Sequence, residues 1–466
     1  MSHDSFDLGR TVRRNPEALA VVTSGGEYWS YDRLGHEVCG AMARLVVQGV
    51  GPGSYVAVTP RRDLESLVRL HAIVEMGAAV VLLHPAWQPE ERRRALAQIP
   101  GQVHDVGDWS WEASETSLPM RRALSEELPM SIAFTSGTTG QSRGTLATRG
   151  AWAAASAASE ANLGWQERDS WLLAMPPAHV GGFGVVLRCL SAGKTVALFD
   201  SDAATGAALA AFIEEAEVTI ASMVPTMLYR VLQHSVSWRS PESLRALLLG
   251  GAGCSEEMLQ QALLRGLPLR ATYGLTESCG QVTTEGECRA VGSLGSAGKA
   301  LPGWDVDIRE GGIWIRGSAL FSAYFADGQR VQPQVGDDGY WRTGDAGALD
   351  SGGRLWVRGR DLDLIISGGE NVYPAEVEGV LGEAPGVLEV AVVGEADPEW
   401  GQRIAAYVVL DPSSGGLDAL KAWSESRLAP FRRPRVWRVV SEIPKTRSGK
   451  MRRSVLRGNS APQPND

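Results

Sequence analysis

The chain has 466 residues, 44% of them hydrophobic and 21% charged, the balance of a globular enzyme long enough for two or three domains. A formal net charge of −9 excludes general affinity for nucleic acid or an anionic membrane, so a polyanionic ligand must be met by local cations. No apolar run reaches bilayer-spanning length, and the opening MSHDSFDLGR lacks an apolar signal core. Five scattered cysteines (Cys39, Cys189, Cys254, Cys279 and Cys288) contain no CxxC pair and read as reduced thiols of a cytoplasmic protein.

Over residues 1–100, apolar strand-like runs alternate with helical patterns. Tyr55–Val58 and 78–83 are predicted strands and 64–76 the helix between them, the alternation of a parallel sheet covered by helices. Residues 101–128 are polar and irregular, a predicted surface connection. The next stretch, SIAFTSGTTGQSRG over 131–144, starts as the end of a buried strand and becomes a run of Thr, Ser and Gly with one cation, Arg143. Composition alone would also suit a flexible linker, but a linker has no need to leave directly from a buried strand. Thr135, Ser136, Thr138 and Thr139 supply hydroxyls. Gly137 and Gly140 let the backbone approach a ligand, and successive N–H groups in such a turn hold phosphate. A Walker A loop is excluded: Gly193-Lys194-Thr195 has the right ending, but its upstream glycine position is Arg188.

The alternation resumes from 151 to 285, with helices over 151–161 and 207–217 and strands over 171–175, 195–199 and 218–223. Within 175–193 (MPPAHVGGFGVVLRCLSAG), Arg188 interrupts an apolar run. An unpaired buried guanidinium is costly, so an anion, from the protein or from a ligand, is expected against it. LLLGGAG over 247–253 ends a strand at Gly250, Gly251 and Ala252, where a flat purine can lie on bare backbone. In YGLTESCGQVTT over 273–284, Glu277 is the only acid, and a carboxylate near a triphosphate implies bridging Mg²⁺. Residues 292–358 carry short glycine-separated β segments and predict a small antiparallel or barrel-like subdomain. The charges of 358–363 lie between two apolar strands and read as a hinge. A strand, glycine turn and helix follow, then a β/α pattern to 457 and a polar, disordered tail from 458 to 466. Between Arg427 and Arg457 there are eleven Lys or Arg and one acid, Glu442. With few aromatics interleaved, this run fits a phosphate-bearing small molecule better than nucleic acid.

Taken together, TSGTTGQSRG, YGLTE, GYWRTGDAG (339–347), RGRDLDLIISGGENVYPAE (358–376) and PKTRSGK (444–450) resemble the adenylate-forming superfamily. That superfamily comprises acyl-CoA synthetases, peptide-synthetase adenylation domains and luciferases, and the motifs match in order and spacing from about 130 to 453. Three positions depart from its pattern. Ser142 stands where proline is common, Arg143 where lysine is common, and Leu362 at the hinge residue, usually Asp or Lys. The resemblance implies an α/β fold, with a large N-terminal domain (1–359) of parallel and mixed sheets sandwiched by helices. It also implies a hinge at 360–363 and a small mobile α+β C-terminal domain (364–457). It implies that Tyr273 and Gly274 meet the adenine, Thr276 the α-phosphate, Asp345 and Arg360 the ribose, and Gly368 and Gly369 the CoA passage. Lys450 is then the mobile catalytic lysine. ATP, Mg²⁺ and coenzyme A are the implied cofactors.

Peptide-synthetase adenylation domains carry an aspartate near the start of 175–193, where this chain has Ala178-His179, so an amino-acid substrate is not expected. The His-x-x-Gly start, the arginine later in the pocket helix and the E-x-C-x-Q run resemble the o-succinylbenzoate–CoA ligases of menaquinone biosynthesis. That resemblance implies a substrate with one carboxylate to activate and one to spare, and assigns His179, Gly181, Arg188 and Val282 to its pocket. Two alternatives stay open: an aryl- or acyl-CoA ligase using a monocarboxylate, with Arg188 structural, or an adenylation module loading a carrier protein. No carrier domain is expected after residue 466, which weighs against the second within this chain. Neither membrane nor nucleic acid is an expected partner, and the oligomeric state, a homo-oligomer included, is left open.

Overall fold

A computed structural model describes residues 5–106, 109–116, 118, 123–136, 142–200, 205–234, 237–254, 256–286, 295–360, 363–367, 370–397, 400–413, 415–445 and 451–458. The chain divides into two units. The first comprises 1–252, 260–306 and 315–341, the second 253–259, 307–314 and 342–466.

Two sheets build the first unit. The nine-stranded sheet runs, edge to edge, Lys299–Ala300, Gly280–Thr284, Leu269–Leu275, Ala246–Leu249, Ile220–Met223, Ser170–Leu173, Thr195–Leu198, Leu19–Thr23 and Tyr28–Ser30. The seven-stranded sheet runs Gln329–Val331, Ala323–Ala326, Ser142–Thr148, Pro129–Ser136, Ala79–Leu82, Tyr55–Val58 and Val103–Asp105. Every residue of Ala79–Leu82, Ser170–Leu173, Ile220–Met223 and Ala246–Leu249 is buried, which is why these strands read as continuous apolar runs: helices cover both of their faces. Helix Leu64–Glu75 begins where the Asp63 carboxylate accepts from the Ser66 N–H at 2.7 Å, one residue short of its predicted end.

Both sheets change direction at one place. Leu269–Leu275 is parallel to Ala246–Leu249 but antiparallel to Gly280–Thr284. Pro129–Ser136 is parallel to Ala79–Leu82 but antiparallel to Ser142–Thr148. Both reversals lie beyond the carboxyl ends of parallel strands, where α/β sheets commonly bind ligands, and the two glycine-rich motifs fall at them in sequence.

Three segments differ from expectation. The connection 101–128 contributes a short edge strand, Val103–Asp105, parallel to Tyr55–Val58. From 292–358 comes a four-stranded sheet ordered Trp304–Arg309, Gly312–Gly317, Trp341–Leu349, Leu355–Arg360, while Ala323–Ala326 and Gln329–Val331 join the seven-stranded sheet instead. The sequence 365–372 forms a hairpin, Ile365–Ser367 against Glu370–Val372, ahead of helix Pro374–Gly382.

In the second unit, Gly401–Leu410 pairs with Val387–Asp397, Ile365–Ser367 and, in parallel, Val436–Val439. One face of this sheet packs Val377, Leu381, Leu420 and Leu428. The other packs Ile443 and Leu456. No helix among the described residues is long and apolar enough to cross a membrane.

Candidate active site

The hairpin from 129 to 148 carries the predicted phosphate loop. Its register sets Thr135 opposite Arg143 and Ser136 opposite Ser142, so 137–141 form the connection. Gly137, Thr138, Thr139 and Gly140 lie outside the described residues. Arg143 is exposed, and its Cζ stands 6.0 Å from the centre of the Tyr324 ring. Tyr324 comes from strand Ala323–Ala326, antiparallel to Ser142–Thr148 and opposite Thr145.

The acidic motif is a sharp reversal. Strand Leu269–Leu275 runs into a 3₁₀ turn, Thr276–Ser278, and Cys279 takes a left-handed φ of 52° before the next strand. At Gly274 a side chain would overlap the Gly280 carbonyl, so only glycine allows the two strands to close this tightly. The Leu275 N–H donates to the Ser278 hydroxyl at 3.0 Å. Glu277 is held from outside the turn: its carbonyl accepts from the Phe321 N–H at 2.7 Å, and its Oε1 accepts from the Tyr324 hydroxyl at 2.9 Å. One tyrosine thus meets both the Glu277 carboxylate and the cation of the phosphate hairpin. No group of three or more His, Cys, Asp or Glu able to hold a metal exists among the described residues. A single fixed carboxylate still fits Mg²⁺, which takes one or two carboxylates and fills its remaining positions with phosphate oxygens and water.

Next to this turn, Ala246–Leu249 ends at Gly250 and Gly251, the latter with φ +82°. A Cβ on Gly250 would stand 2.8 Å from the Thr272 carbonyl oxygen, so bare backbone lies against the strand that carries Tyr273. Gly251 and Ala252 are exposed, while Tyr273 keeps only 9% of its surface. Thr276 and Glu277 are half-buried.

Helix Val180–Ala192 begins after His179, whose ring centre lies 5.2 Å from that of His84. Its start depends on glycine, because a side chain at Gly182 would overlap the Pro176 carbonyl; Gly181 faces Met175, whose Cε would stand 3.0 Å from a Cβ there. Further along, Arg188 is 4% exposed. Its Nη1 would meet a Cβ on Gly184 at 2.9 Å and its Nη2 one on Gly280 at 3.3 Å, and its Cζ lies 5.6 Å from the Trp171 ring. Nε and Nη2 are buried without a hydrogen-bond partner, and no carboxylate of a described residue pairs with the group. The ion-pair alternative is thereby removed among the described residues. Burial draws the Arg188 pKa down to about 10, and pushes the Cys189 and Cys279 thiols beside it well up. Cys39, Cys189, Cys254 and Cys279 are free. Gln281 is fixed by Thr284 at 3.1 Å, and Val282 is fully buried with its carbonyl taken by the Leu301 N–H.

In the second unit, Asp345 and Arg360 face each other across antiparallel strands, Arg360 Nε 2.8 Å from Asp345 Oδ1. Asp345 is 6% exposed and its N–H donates to the Thr343 hydroxyl at 3.1 Å. Leu362, Gly368, Gly369, Lys450 and the tail 459–466 lie outside the described residues. Five of the eleven cations of the basic run are paired within this unit. Arg432 pairs with Glu376, Arg438 with Glu395, Lys445 with Glu389, Arg453 with Asp363 and Glu378, and Arg457 with Asp363.

Tyr324 and His84 were missed from sequence. Both lie far in the chain from Glu277 and His179, and only the fold brings them there.

A hairpin carrying the predicted phosphate loop, a fixed acid at the next reversal and a buried cation beside it suit activation of an acid by a nucleotide. The AMP-binding enzyme family matches residues 8–104 and 100–325, and the AMP-binding enzyme C-terminal domain matches 376–450. The chain belongs to the AMP-binding enzymes. More particularly, it is 32% identical to the 2-succinylbenzoate–CoA ligase of Listeria monocytogenes over 97% of this chain and 98% of that one. It is equally identical to the Bacillus licheniformis enzyme of that name, over 98% and 100%. Among solved structures, the o-succinylbenzoate CoA synthetase (MenE) of Bacillus subtilis in complex with the acyl-adenylate intermediate OSB-AMP gives a TM-score of 0.86 at 29% identity. That match covers 100% of this chain and 99% of that one. MenE from the same organism in complex with ATP and magnesium ion gives 0.85 at 30%, covering 97% and 98%.

Proposed function

We infer that the protein is an AMP-forming 2-succinylbenzoate–CoA ligase. The observation that carries the choice of acid is Arg188, a buried guanidinium lacking any described counter-ion and lying beside Gly280, just past the turn that holds Glu277. A monocarboxylate would leave that charge desolvated and unpaired. A substrate with a spare carboxylate completes it.

In the first step a substrate carboxylate oxygen attacks the α-phosphorus of ATP, and the bond to the bridging β-oxygen breaks, so pyrophosphate leaves with that electron pair. Thr135, Ser136, Gly137, Thr138, Thr139, Gly140 and Arg143 hold the leaving phosphates. Tyr273, Gly274 and the backbone of 250–252 hold the adenine, Thr276 the α-phosphate, and Asp345 with Arg360 the ribose. Glu277 would hold Mg²⁺ beside the phosphates, where the ion would neutralise charge that otherwise repels the incoming carboxylate. Lys450 stands between the two reacting anions. His179, Gly181 and Val282 shape the acyl pocket. In the second step the CoA sulfur attacks the acyl carbon, AMP leaves and the thiol proton is lost. For this step the C-terminal domain, 364–457, turns about 360–363, withdrawing Lys450 and presenting Gly368 and Gly369 to CoA. The free thiols and the nucleotide and CoA substrates suit the cytoplasm.

The test is a double cycle. Arg188→Ala removes a charge-assisted contact of about 1.5–3 kcal/mol, roughly 10- to 150-fold in kcat/KM for 2-succinylbenzoate. Methylating the non-reacting carboxylate should cost wild type a similar factor and the mutant little more. Simple addition of the two losses in a pyrophosphate-release assay returns the reading to an acid–CoA ligase of another acid.

A further inference from the structure

The carboxylate of Asp363 closes a partly buried ionic cluster within the second unit. Arg453 Nη1 stands 3.3 Å from Asp363 Oδ2, and Arg457 Nη2 stands 2.9 Å from Asp363 Oδ1. The other arm of the Arg453 fork reaches Glu378 Oε2 at 2.5 Å, and Glu378 Oε1 accepts from the Val392 N–H at 2.7 Å. Four segments meet here, three of them close in sequence and the last near the end of the described chain: the end of the hinge stretch, helix Pro374–Gly382, strand Val387–Asp397 and helix Arg453–Gly458.

That last helix has six residues, too few to be stable alone. Its place is fixed by what it touches. Leu456 is buried among Ala391, Val393, Ala405 and Ile443, and its carbonyl accepts from the Tyr407 hydroxyl at 3.1 Å. Immediately upstream, Lys445 bridges Met451 and the Arg452 N–H donates to the Pro444 carbonyl at 2.8 Å, which closes the base of the segment 446–450. Lys445 Nζ lies 2.5 Å from Glu389, tying the same base to the sheet. The chain on both sides of Lys450 is therefore anchored, and the anchor nearest the hinge is ionic.

We propose that Asp363, Glu378, Arg453 and Arg457 form a clamp that fixes the base of the Lys450 segment to the hinge-side strand, so that hinge and lysine move as one body. They are positioning residues for adenylation, acting through Lys450, and the proposal rests on the reading of Lys450 given above. The physical need is orientation. A charge that must sit between two reacting anions loses most of its effect when displaced by about 1 Å, on the order of a hundredfold in rate. Leu362, at the hinge, cannot itself form an ion pair, whereas Asp363, the next residue, pairs with both arginines.

The experiment measures the two half-reactions separately, adenylation by pyrophosphate release and thioester formation from supplied acyl-adenylate and CoA. Arg453→Met and Arg457→Gln should each slow adenylation by roughly 10- to 100-fold. Thioester formation, which does not use the lysine, should stay within about twofold of wild type. Arg453→Lys keeps the charge but loses the two-armed fork and should recover part of the loss. Equal loss in both half-reactions, or no loss in either for folded protein, overturns the clamp. Should Arg453→Met leave two carboxylates unpaired and fail to fold, Arg457→Gln, at the half-exposed rim, decides alone. Lys450→Ala is run beside them. If it spares adenylation, the reading of the lysine falls and the clamp with it; if it abolishes adenylation while the arginine variants are silent, only the clamp falls.

Discussion

At the scale of single residues, the site turns on one hydrogen bond that spans 47 positions, from the Tyr324 hydroxyl to Glu277. The glutamate was legible as the only acid in a neutral run. Its tyrosine was not, because SAYFADG has no polar pattern that announces a partner, and only the pairing of Tyr324 with Thr145 sets it beside the phosphate hairpin. Tyr324→Phe leaves Glu277 charged but without this hydrogen bond. A hydrogen bond to a charged group contributes about 1.5–3 kcal/mol, so the Mg²⁺ concentration for half-maximal adenylation should rise roughly tenfold or more. Glu277→Gln should raise it further with the fold intact. An unchanged Mg²⁺ titration for Tyr324→Phe would remove the tyrosine from the site. Arg188 shows the complementary case: sequence announced an unexpected cation in an apolar run, but whether a protein carboxylate answered it was visible only in three dimensions.

At the scale of elements, strands covered on both faces were read to within two residues. Tyr55–Val58 is as expected, and 195–199 shortens to Thr195–Leu198. What escaped were elements with too little apolar surface to make a pattern: Val103–Asp105 has three residues and none is fully buried. A second layer of element-scale information is ionic. Arg245 reaches both oxygens of Asp169, at 2.9 and 2.5 Å, and the carbonyls of Leu163 and Gly164, joining a helix end to the strands beginning at 170 and 246. Burial alone would raise the Asp169 pKa. The hydrogen bonds from Arg245, the Gln166 N–H and Thr219 outweigh it and hold it below the usual value. A depressed carboxylate contributes stability above its unfolded pKa, and that contribution is lost as pH falls through the folded value. Asp169→Asn should therefore destabilise the protein by roughly 3 kcal/mol at pH 7. The gap should close progressively below about pH 4, in denaturant unfolding followed across pH. A gap independent of pH would assign the loss to packing.

At the scale of the whole molecule, motif order along the chain was the most legible property, since each motif is local and the family keeps their sequence. Strand partners were least legible: residues 323–331 were expected in a separate small subdomain, yet they extend the sheet that carries the phosphate hairpin. The Arg188 guanidinium, without a counter-ion among the described residues, has a consequence for the folded molecule as a whole. A desolvated cation without a counter-ion opposes folding, so Arg188→Met should melt at a higher temperature than wild type, with a gain of about 1–4 kcal/mol, while losing its substrate. By the same logic the free acid, without nucleotide or CoA, should raise the melting temperature of wild type and not of Arg188→Met. At a hundred times its Kd the acid would add about 2.7 kcal/mol. In a growing cell, the supply of this acid would then govern how long each enzyme molecule escapes proteolysis, so that starvation for substrate would thin the enzyme's own population.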